Sequence, residues 1–367
     1  MTGGGSAGHV IPNLTLLSDL RTDGWEIHYV GTRTGIEAEL LRSEDVIYHA
    51  IQTGKLRRYF DIKNFVDPFR FLIGIIQSLL LMFKIKPSVI FSKGGFVAAP
   101  VVIAGRIAGV PSVTHESDRT QGLANKICAP FASKICLTFE DTINDLSPKN
   151  KRKAIITGPP IRSGLRGGDA EEGRRICGFD ESLPVLLAVG GSLGSESLNA
   201  IIRKTLPELL KTWQVAHICG KGNIDAKYAG VKGYAQLEYA RDELAHLFKI
   251  SEAAISRAGS NSIFELLYLE IPSILIPLPR SVSRGDQILN AAEFEKKGYS
   301  IKLEEHEAES GEALVNALKR LVRDRAKFVE AMRGANLRDS KALIIEAIYA
   351  SAIGGSKPPP YTNNRTA

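Results

Sequence analysis

Cysteine is scarce in this chain, and the four residues present (Cys128, Cys136, Cys177, Cys219) form no Cys-x-x-Cys pair and no metal-ligand spacing. This excludes a disulfide-built scaffold and a zinc module, and predicts reduced, mostly buried thiols of a cytoplasmic protein. Long apolar runs are missing too. The most extended, Phe71 to Phe83, is interrupted by Gly74, Gln77 and Ser78 and falls short of the roughly 20 residues that a bilayer crossing needs. No secretory leader is expected. Aromatic–basic interleaving is absent, so the net charge of +7 points to an anionic substrate or membrane surface rather than to nucleic acid. Acidic residues are missing where a nicotinamide site would want one. The strand Trp25–Val30 runs into Gly31-Thr32-Arg33, and the strand Trp213–Cys219 into Gly220-Lys221-Gly222, which argues against a dehydrogenase.

What is present is a βα alternation that runs twice. Gly3, Gly5 and Gly8 fit G-x-G-x-x-G and lead into a helical run, Ile11 to Leu20. Such a loop brings backbone amides close to a phosphate or sugar. No strand precedes it, so either the natural start lies upstream of Met1, which is the expectation, or the domain lacks its first strand. Ser88–Phe91 is a strand followed by a second glycine turn, 92–96. Pro111–Thr114 is another, and at its end stand His115, Glu116 and Asp118, which read either as an acid–base cluster or as the capping turn of the next helix. The plan restarts at the buried strand 184–189 with Gly190-Gly191-Ser192-Leu193-Gly194 after it. A boundary is expected in the charged, Gly- and Pro-containing segment 147–175. It divides the chain into an N-terminal acceptor- and membrane-binding domain, 1–158, a C-terminal nucleotide-sugar domain, 159–350, and a disordered Gly/Pro/polar tail, 351–367.

The stretch 251–291 is the densest in signals. A strand around Ala253-Ala254-Ile255 leads into a polar turn in which Ser260 or Asn261 can cap a helix. Free amides at that helix start suit a diphosphate, and Glu265, one turn in, can accept from both hydroxyls of a ribose. After the next strand come Asp286, Gln287 and Asn290, on the same sheet edge. A different signal lies in 54–86. There Lys55, Arg57, Arg58, Lys63, Arg70, Lys84 and Lys86 flank an almost continuous apolar segment, which reads either as a core helix with a basic rim or as a patch for an anionic membrane surface.

Taken in order, Gly3-Gly4-Gly5-Ser6-Ala7-Gly8-His9, Lys93-Gly94-Gly95-Phe96, His115-Glu116, Gly122-Leu123-Ala124-Asn125, Gly190-Gly191-Ser192-Leu193-Gly194, Ser256 to Ser260 and Asp286 to Ala291 resemble the MurG-type glycosyltransferases. The resemblance covers Thr2 to about Gly298. It implies an α/β, GT-B fold of two Rossmann-like, doubly wound domains with the active site in the cleft between. The implied reaction is inverting transfer of N-acetylglucosamine from UDP-N-acetylglucosamine to an undecaprenyl-diphosphate muramyl-pentapeptide, without a cofactor or a metal. Its setting would be peptidoglycan and cell-wall synthesis, with roles in cell shape and division, at the cytoplasmic face of the cell membrane and alongside other cell-wall synthesis proteins.

The resemblance also implies site residues. Gly190, Gly191 and Ser192 hold the diphosphate, with Arg162 nearby; Ser260, Asn261, Ser262 and Glu265 hold phosphate and ribose. Asp286 and Gln287 touch ribose or sugar, with Asn290 beside them, and the backbone at Ala240 faces uracil. Ser6, Ala7, Gly8 and His9 face the sugar and the acceptor diphosphate. His9 is the first choice as general base, with Glu116 and Asp118 as alternatives. Ser117-Asp118 replaces the family's usual Gln-Asn, which bears on the acceptor or sugar. A GT-B transferase for another lipid or glycan acceptor, or a catalytically silent sugar-nucleotide binder, stays open.

Overall fold

The structure is a computed structural model that describes residues 1–54, 67–191 and 194–354. The chain forms two compact units. One is Met1–Ile161 together with the chain from Arg338 on; the other is Arg162–Leu337.

The first unit is built on short parallel strands: β1 (His28–Gly31), β2 (Ile47–Ala50), β3 (Ile90–Ser92), β4 (Ser112–Glu116), β5 (Lys134–Leu137) and β6 (Ala154–Ile156). β1 pairs with β2, and β3 to β6 follow one another in a second ladder. What joins the two is Thr2, which bridges in parallel to Val30 on one side and to Ser92 on the other. The strand that the sequence seemed to lack before the first glycine loop is therefore present as a one-residue stub. Its hydrogen bonds are Thr2 N to Phe91 O and Val30 N to Met1 O, each 2.9 Å.

The second unit carries a parallel sheet of β7 (Val185–Val189), β8 (Gln214–Ile218), β9 (Tyr234–Leu237), β10 (Ser251–Ser256), β11 (Ser273–Leu275) and β12 (Ser300–Lys302), in the order β12-β11-β10-β7-β8-β9. β7 and β10 are its centre, and they are the residues most fully withdrawn from water: Leu186, Leu187, Ala188, Ala254 and Ile255 are wholly buried. Helices cover the sheet, so continuous apolar strands are what burial on both faces demands.

The division differs from the sequence reading at its end. The helix Ser340–Ser351, expected to close the second domain, packs in the first unit, where Ile344, Ile345 and Ile348 meet Leu16, Leu20, Phe91 and Val113. Lys341 Nζ pairs with Asp19 at 2.5 Å, and Trp25 meets Tyr349 edge-on. Of the tail expected from 351, Ser351 ends this helix, and 355–367 lie outside the described residues.

The helix Asp67–Ile85 is 19 residues long, longer than its uninterrupted apolar core suggests, and by length and composition it could cross a membrane. It buries one narrow line, Gly74, Ser78 and Met82. Gly74 fits because a Cβ there would stand 2.3 Å from Gln52 O, and Met82 packs on Val97 and Val101. The opposite side carries Phe69, Leu72, Ile76, Leu80 and Phe83, exposed by 56–70%. The basic residues Lys55, Arg57, Arg58 and Lys63 lie outside the described residues; Arg70, Lys84 and Lys86 are exposed.

Candidate active site

Ligands of open parallel sheets gather at the carboxyl ends of the strands, where the chain order reverses. In the second unit that point lies between β7 and β10. The loop after β7 holds Gly190 and Gly191; Ser192 lies outside the described residues. Gly194 (φ +75°) brings this loop against the end of β8, where a Cβ would stand 2.0 Å from Cys219 O, so only glycine fits. Ser195 then caps the helix Glu196–Leu209 by accepting from Leu198 N.

The loop after β10 begins with Arg257, which is 3% exposed. Its guanidinium donates to Ser195 Oγ (2.7 Å), Ser197 Oγ (2.7 Å), Ile276 O (3.1 Å) and Pro277 O (3.3 Å) and pairs with Glu305. One buried cation thus ties the ends of β10 and β11 to the glycine loop after β7. The sequence marked Arg257 only as part of a motif; its polar surroundings come from residues up to 62 positions away.

The helix Ser260–Tyr268 starts with Gly259 in the cap position and no side-chain cap bond. Neither Ser260 nor Asn261 caps it as expected: Ser260 is its first residue, and Asn261 and Ser262 follow within the first turn. The cap residue is a glycine, which has no side chain of its own to offer the first amides, and a helix start of this kind suits an anion. Glu265 points back from this helix, 5% exposed. Both its oxygens accept from Arg162, Nε at 2.6 Å and Nη2 at 2.7 Å. Two residues expected to hold donor groups separately therefore form a bidentate pair, the strongest ion-pair geometry available.

Asp286, at the start of the helix Asp286–Lys296, pairs with Arg284 at 3.2 Å. Gln287 accepts from Leu278 N at 3.2 Å, and the buried Asn290 donates to Ala258 O at 3.1 Å. Gln287 and Asn290 thus brace the loops around the switch point. Ala240 follows β9 on the same carboxyl edge, half-buried.

In the first unit the reversal falls between Thr2 and β3, and again two loops flank it. Gly95 (φ +82°) presses on the first: a Cβ there would stand 2.1 Å from Gly4 O. Ser6 precedes the helix Ala7–Thr22, whose first residues are Ala7 and Gly8. His9 is half-buried, with Nδ1 3.0 Å from Ser6 Oγ and 3.1 Å from Gly4 O. A carbonyl only accepts, so Nδ1 carries the hydrogen and the lone pair of the neutral ring sits on Nε2. That is the tautomer a base needs. The sequence missed Glu37, fully buried, which fixes this loop by accepting from Gly5 N (3.2 Å), Thr32 N (2.9 Å) and Thr32 Oγ1 (2.6 Å).

Glu116 is engaged in the same manner. Its carboxylate, 3% exposed, accepts from Asp118 N (3.1 Å), Gly122 N (2.8 Å) and Asn125 Nδ2 (2.9 Å). These bonds hold the turn after β4. Asp118 is half-buried on that turn. His115 is fully buried; burial, and then the charge of Lys93, hold its pKa well below the usual histidine range.

Residues 1–137 match the N-terminal domain of glycosyltransferase family 28, and residues 185–348 match its C-terminal domain. The chain belongs to glycosyltransferase family 28. Its relatives include transferases of Clostridium tetani and Geobacillus thermodenitrificans, both 49% identical and both named UDP-N-acetylglucosamine--N-acetylmuramyl-(pentapeptide) pyrophosphoryl-undecaprenol N-acetylglucosamine transferase. The first match covers 95% of this chain and 96% of the relative, the second 96% and 98%. A MurG crystal structure from Acinetobacter baumannii superposes with a TM-score of 0.72 at 22% identity, over 95% of this chain and 97% of that one. The UDP-GlcNAc 2-epimerase of Neisseria meningitidis gives 0.65 at 11% identity, over 94% and 97%. These likenesses establish the two-domain GT-B fold that the family-28 motifs imply, and the family makes the chain a hexosyltransferase.

Proposed function

We propose that the chain transfers N-acetylglucosamine from UDP-N-acetylglucosamine to the muramyl 4-hydroxyl of an undecaprenyl-diphosphate muramyl-pentapeptide, with inversion at the anomeric carbon. The observation that carries this reading is the 49% identity over 95% of the chain to transferases of that name. The switch-point loops support it. In the second unit the Gly190-Gly191 turn and the amides opening the helix Ser260–Tyr268 receive the diphosphate and stabilise the charge that develops on departing UDP. The bidentate Arg162–Glu265 pair, with Glu265 on that helix, serves the same donor nucleotide. In the first unit His9 Nε2 takes the proton from the attacking hydroxyl, while Ser6, Ala7 and Gly8 line the acceptor. Asp118 contributes to acceptor recognition rather than to proton transfer.

The test is labelled UDP-N-acetylglucosamine with lipid-linked acceptor from purified membranes. Labelled lipid disaccharide is the expected product. Label on a different acceptor, or binding of the sugar nucleotide without turnover, overturns the reading.

We further infer that the helix Asp67–Ile85 lies on the cytoplasmic membrane surface. One side is occupied by the protein along Gly74, Ser78 and Met82, which favours lying flat over crossing, and the exposed stripe is apolar with cationic flanks. Replacing Ile76, Leu80 and Phe83 with Ser removes exposed surface, so stability should move by less than about 0.5 kcal/mol per substitution, while sedimentation with anionic vesicles is lost. Retained vesicle binding by the folded triple variant would refute the docking.

A further inference from the structure

Lys93 stands immediately after β3, at the reversal point of the first unit, and is 1% exposed. Fully buried lysines without a carboxylate partner are uncommon, because an ammonium loses several kcal/mol of hydration. Here the partners are neutral. Nζ donates to His115 Nδ1 at 2.7 Å and to Ser117 Oγ. His115 Nε2 is 2.9 Å from Gly158 O, a pure acceptor, so Nε2 bears the hydrogen and Nδ1 receives the one from lysine. The backbone of Lys93 is fixed as well, its N bonding Thr2 O at 3.0 Å. A Cβ on Gly3 would stand 3.2 Å from Lys93 Cβ. One residue therefore joins the two: its backbone holds the start of the loop that carries Ser6 and His9, and its side chain holds the turn that carries Ser117 and Asp118.

We propose that Lys93 is a positioning residue for the acceptor half of the reaction, tying these two loops together and placing a buried positive charge, hydrogen-bonded only to neutral groups, beneath the anionic group of the acceptor. The proposal rests on the transferase reading above. A charge held in a low-dielectric interior acts over a longer distance than one at the surface. The titratable groups facing it are His115, Glu116 and Asp118 from β4 and its turn, and Cys136 from β5; the loop Gly3-Gly4-Gly5 brings no titratable side chain. Burial pushes the lysine down to about 8, against the pull of Glu116 and Asp118, so the charge is present at neutral pH and is lost just above it.

The experiment is steady-state kinetics of the full chain with lipid-linked acceptor and UDP-N-acetylglucosamine between pH 7 and 9. Wild type should show an acceptor KM that climbs as pH passes 8, with a flat donor KM. Lys93→Met, which removes the charge and its bonds to His115 and Ser117, should raise acceptor KM at pH 7 by about 10-fold or more, one step of about 1.4 kcal/mol, leave donor KM unchanged and abolish the climb. Lys93→Arg, which keeps the charge, should recover part of the acceptor affinity and also lose the climb. A purely structural lysine would lower melting temperature without splitting the two constants. A wild-type acceptor KM flat from pH 7 to 9 overturns the proposal even where the variants do not fold, and so does an unchanged acceptor KM in folded Lys93→Met. Wild type that transfers no sugar to the lipid acceptor refutes the transferase reading instead, so the two failures are distinct.

Discussion

Placed strand on strand, the two units repeat each other residue by residue. Thr2 pairs with Ser92 and Val30 where Val189 pairs with Ser256 and Ile218. It follows that Lys93 and Arg257 occupy the same place, one residue beyond the strand next to the reversal. Asn125 and Asn290 correspond too, each from the helix after the following strand. Asn125 lies against Gly94, where a Cβ would stand 3.0 Å from its Oδ1, and Asn290 holds Ala258 O. The motifs Ser-Lys-Gly-Gly and Ser-Arg-Ala-Gly are one device written twice. The cations differ in kind. Arg257 is permanently charged and paired with Glu305; Lys93 can lose its proton and has neutral hydrogen-bond partners. The half assigned to the constant nucleotide part of the donor has a fixed charge, and the half assigned to the acceptor has one that titrates.

The sharpest way to divide labour between the halves is His9→Ala. A positioned base contributes about 10²–10⁴ in rate, so turnover should fall by that factor while UDP-N-acetylglucosamine affinity, read by equilibrium binding, stays put. Asp118→Asn, which restores the residue usual in the family, should alter acceptor preference and keep most of the turnover. Near-wild-type turnover in His9→Ala, or its loss in Asp118→Asn, would transfer the base to Asp118.

Next in size is the contrast between the paired cations. Removing one member of a buried ion pair costs about 3–5 kcal/mol, so Arg257→Met should lower unfolding free energy by that much, seen in urea denaturation followed by fluorescence of the buried Trp213. Lys93→Met should behave differently. The unfolded lysine titrates near 10.5 and the folded one near 8, so the native state binds protons less readily and the charge costs roughly 3 kcal/mol below pH 8. That cost is relieved between about pH 8 and 10.5, where wild type should gain stability relative to Lys93→Met. At pH 7 the gain from removing the ammonium is offset by the orphaned His115 Nδ1, and the net change should be small. Equal losses in both variants would erase the distinction between the two cations.

Glu265→Ala comes third. It removes the partner of Arg162, and losing a charged hydrogen bond costs about 1.5–3 kcal/mol, expected chiefly as weaker donor binding. Glu265→Gln, which keeps one acceptor oxygen, should fall between. Unchanged donor affinity in both would confine the pair to a structural role.

The repeat explains what was legible in the sequence. Glycine loops, buried strands and the strand-end motifs are local, and each follows from the conformation or spacing of a few neighbouring residues. Long-range partners are not local. Arg162 and Glu265 are 103 positions apart, and each alone reads as a ligand for substrate. Thr2 is a strand only because Val30 and Ser92 meet it. The helix Ser340–Ser351 follows a run of second-unit helices, and nothing in its composition announces that it returns to the first unit.

The smallest effect tests the correspondence itself. Asn290 Nδ2 donates to Ala258 O at 3.1 Å. Asn125 Nδ2 donates to His115 O at 3.1 Å and to Glu116 Oε2 at 2.9 Å. A buried hydrogen bond to a carboxylate contributes about 1.5–3 kcal/mol, so Asn125→Ala should lower unfolding free energy by at least about 1.5 kcal/mol. The kinetic signatures of Asn125→Ala and Asn290→Ala should be mirror images. Slack in the turn after β4 should raise acceptor KM, and slack in the loop after β10 should raise donor KM, each by a few fold. Kinetics with both substrates varied in turn would read this directly. If both variants weakened the same substrate, the two asparagines would not be counterparts in function, whatever their register.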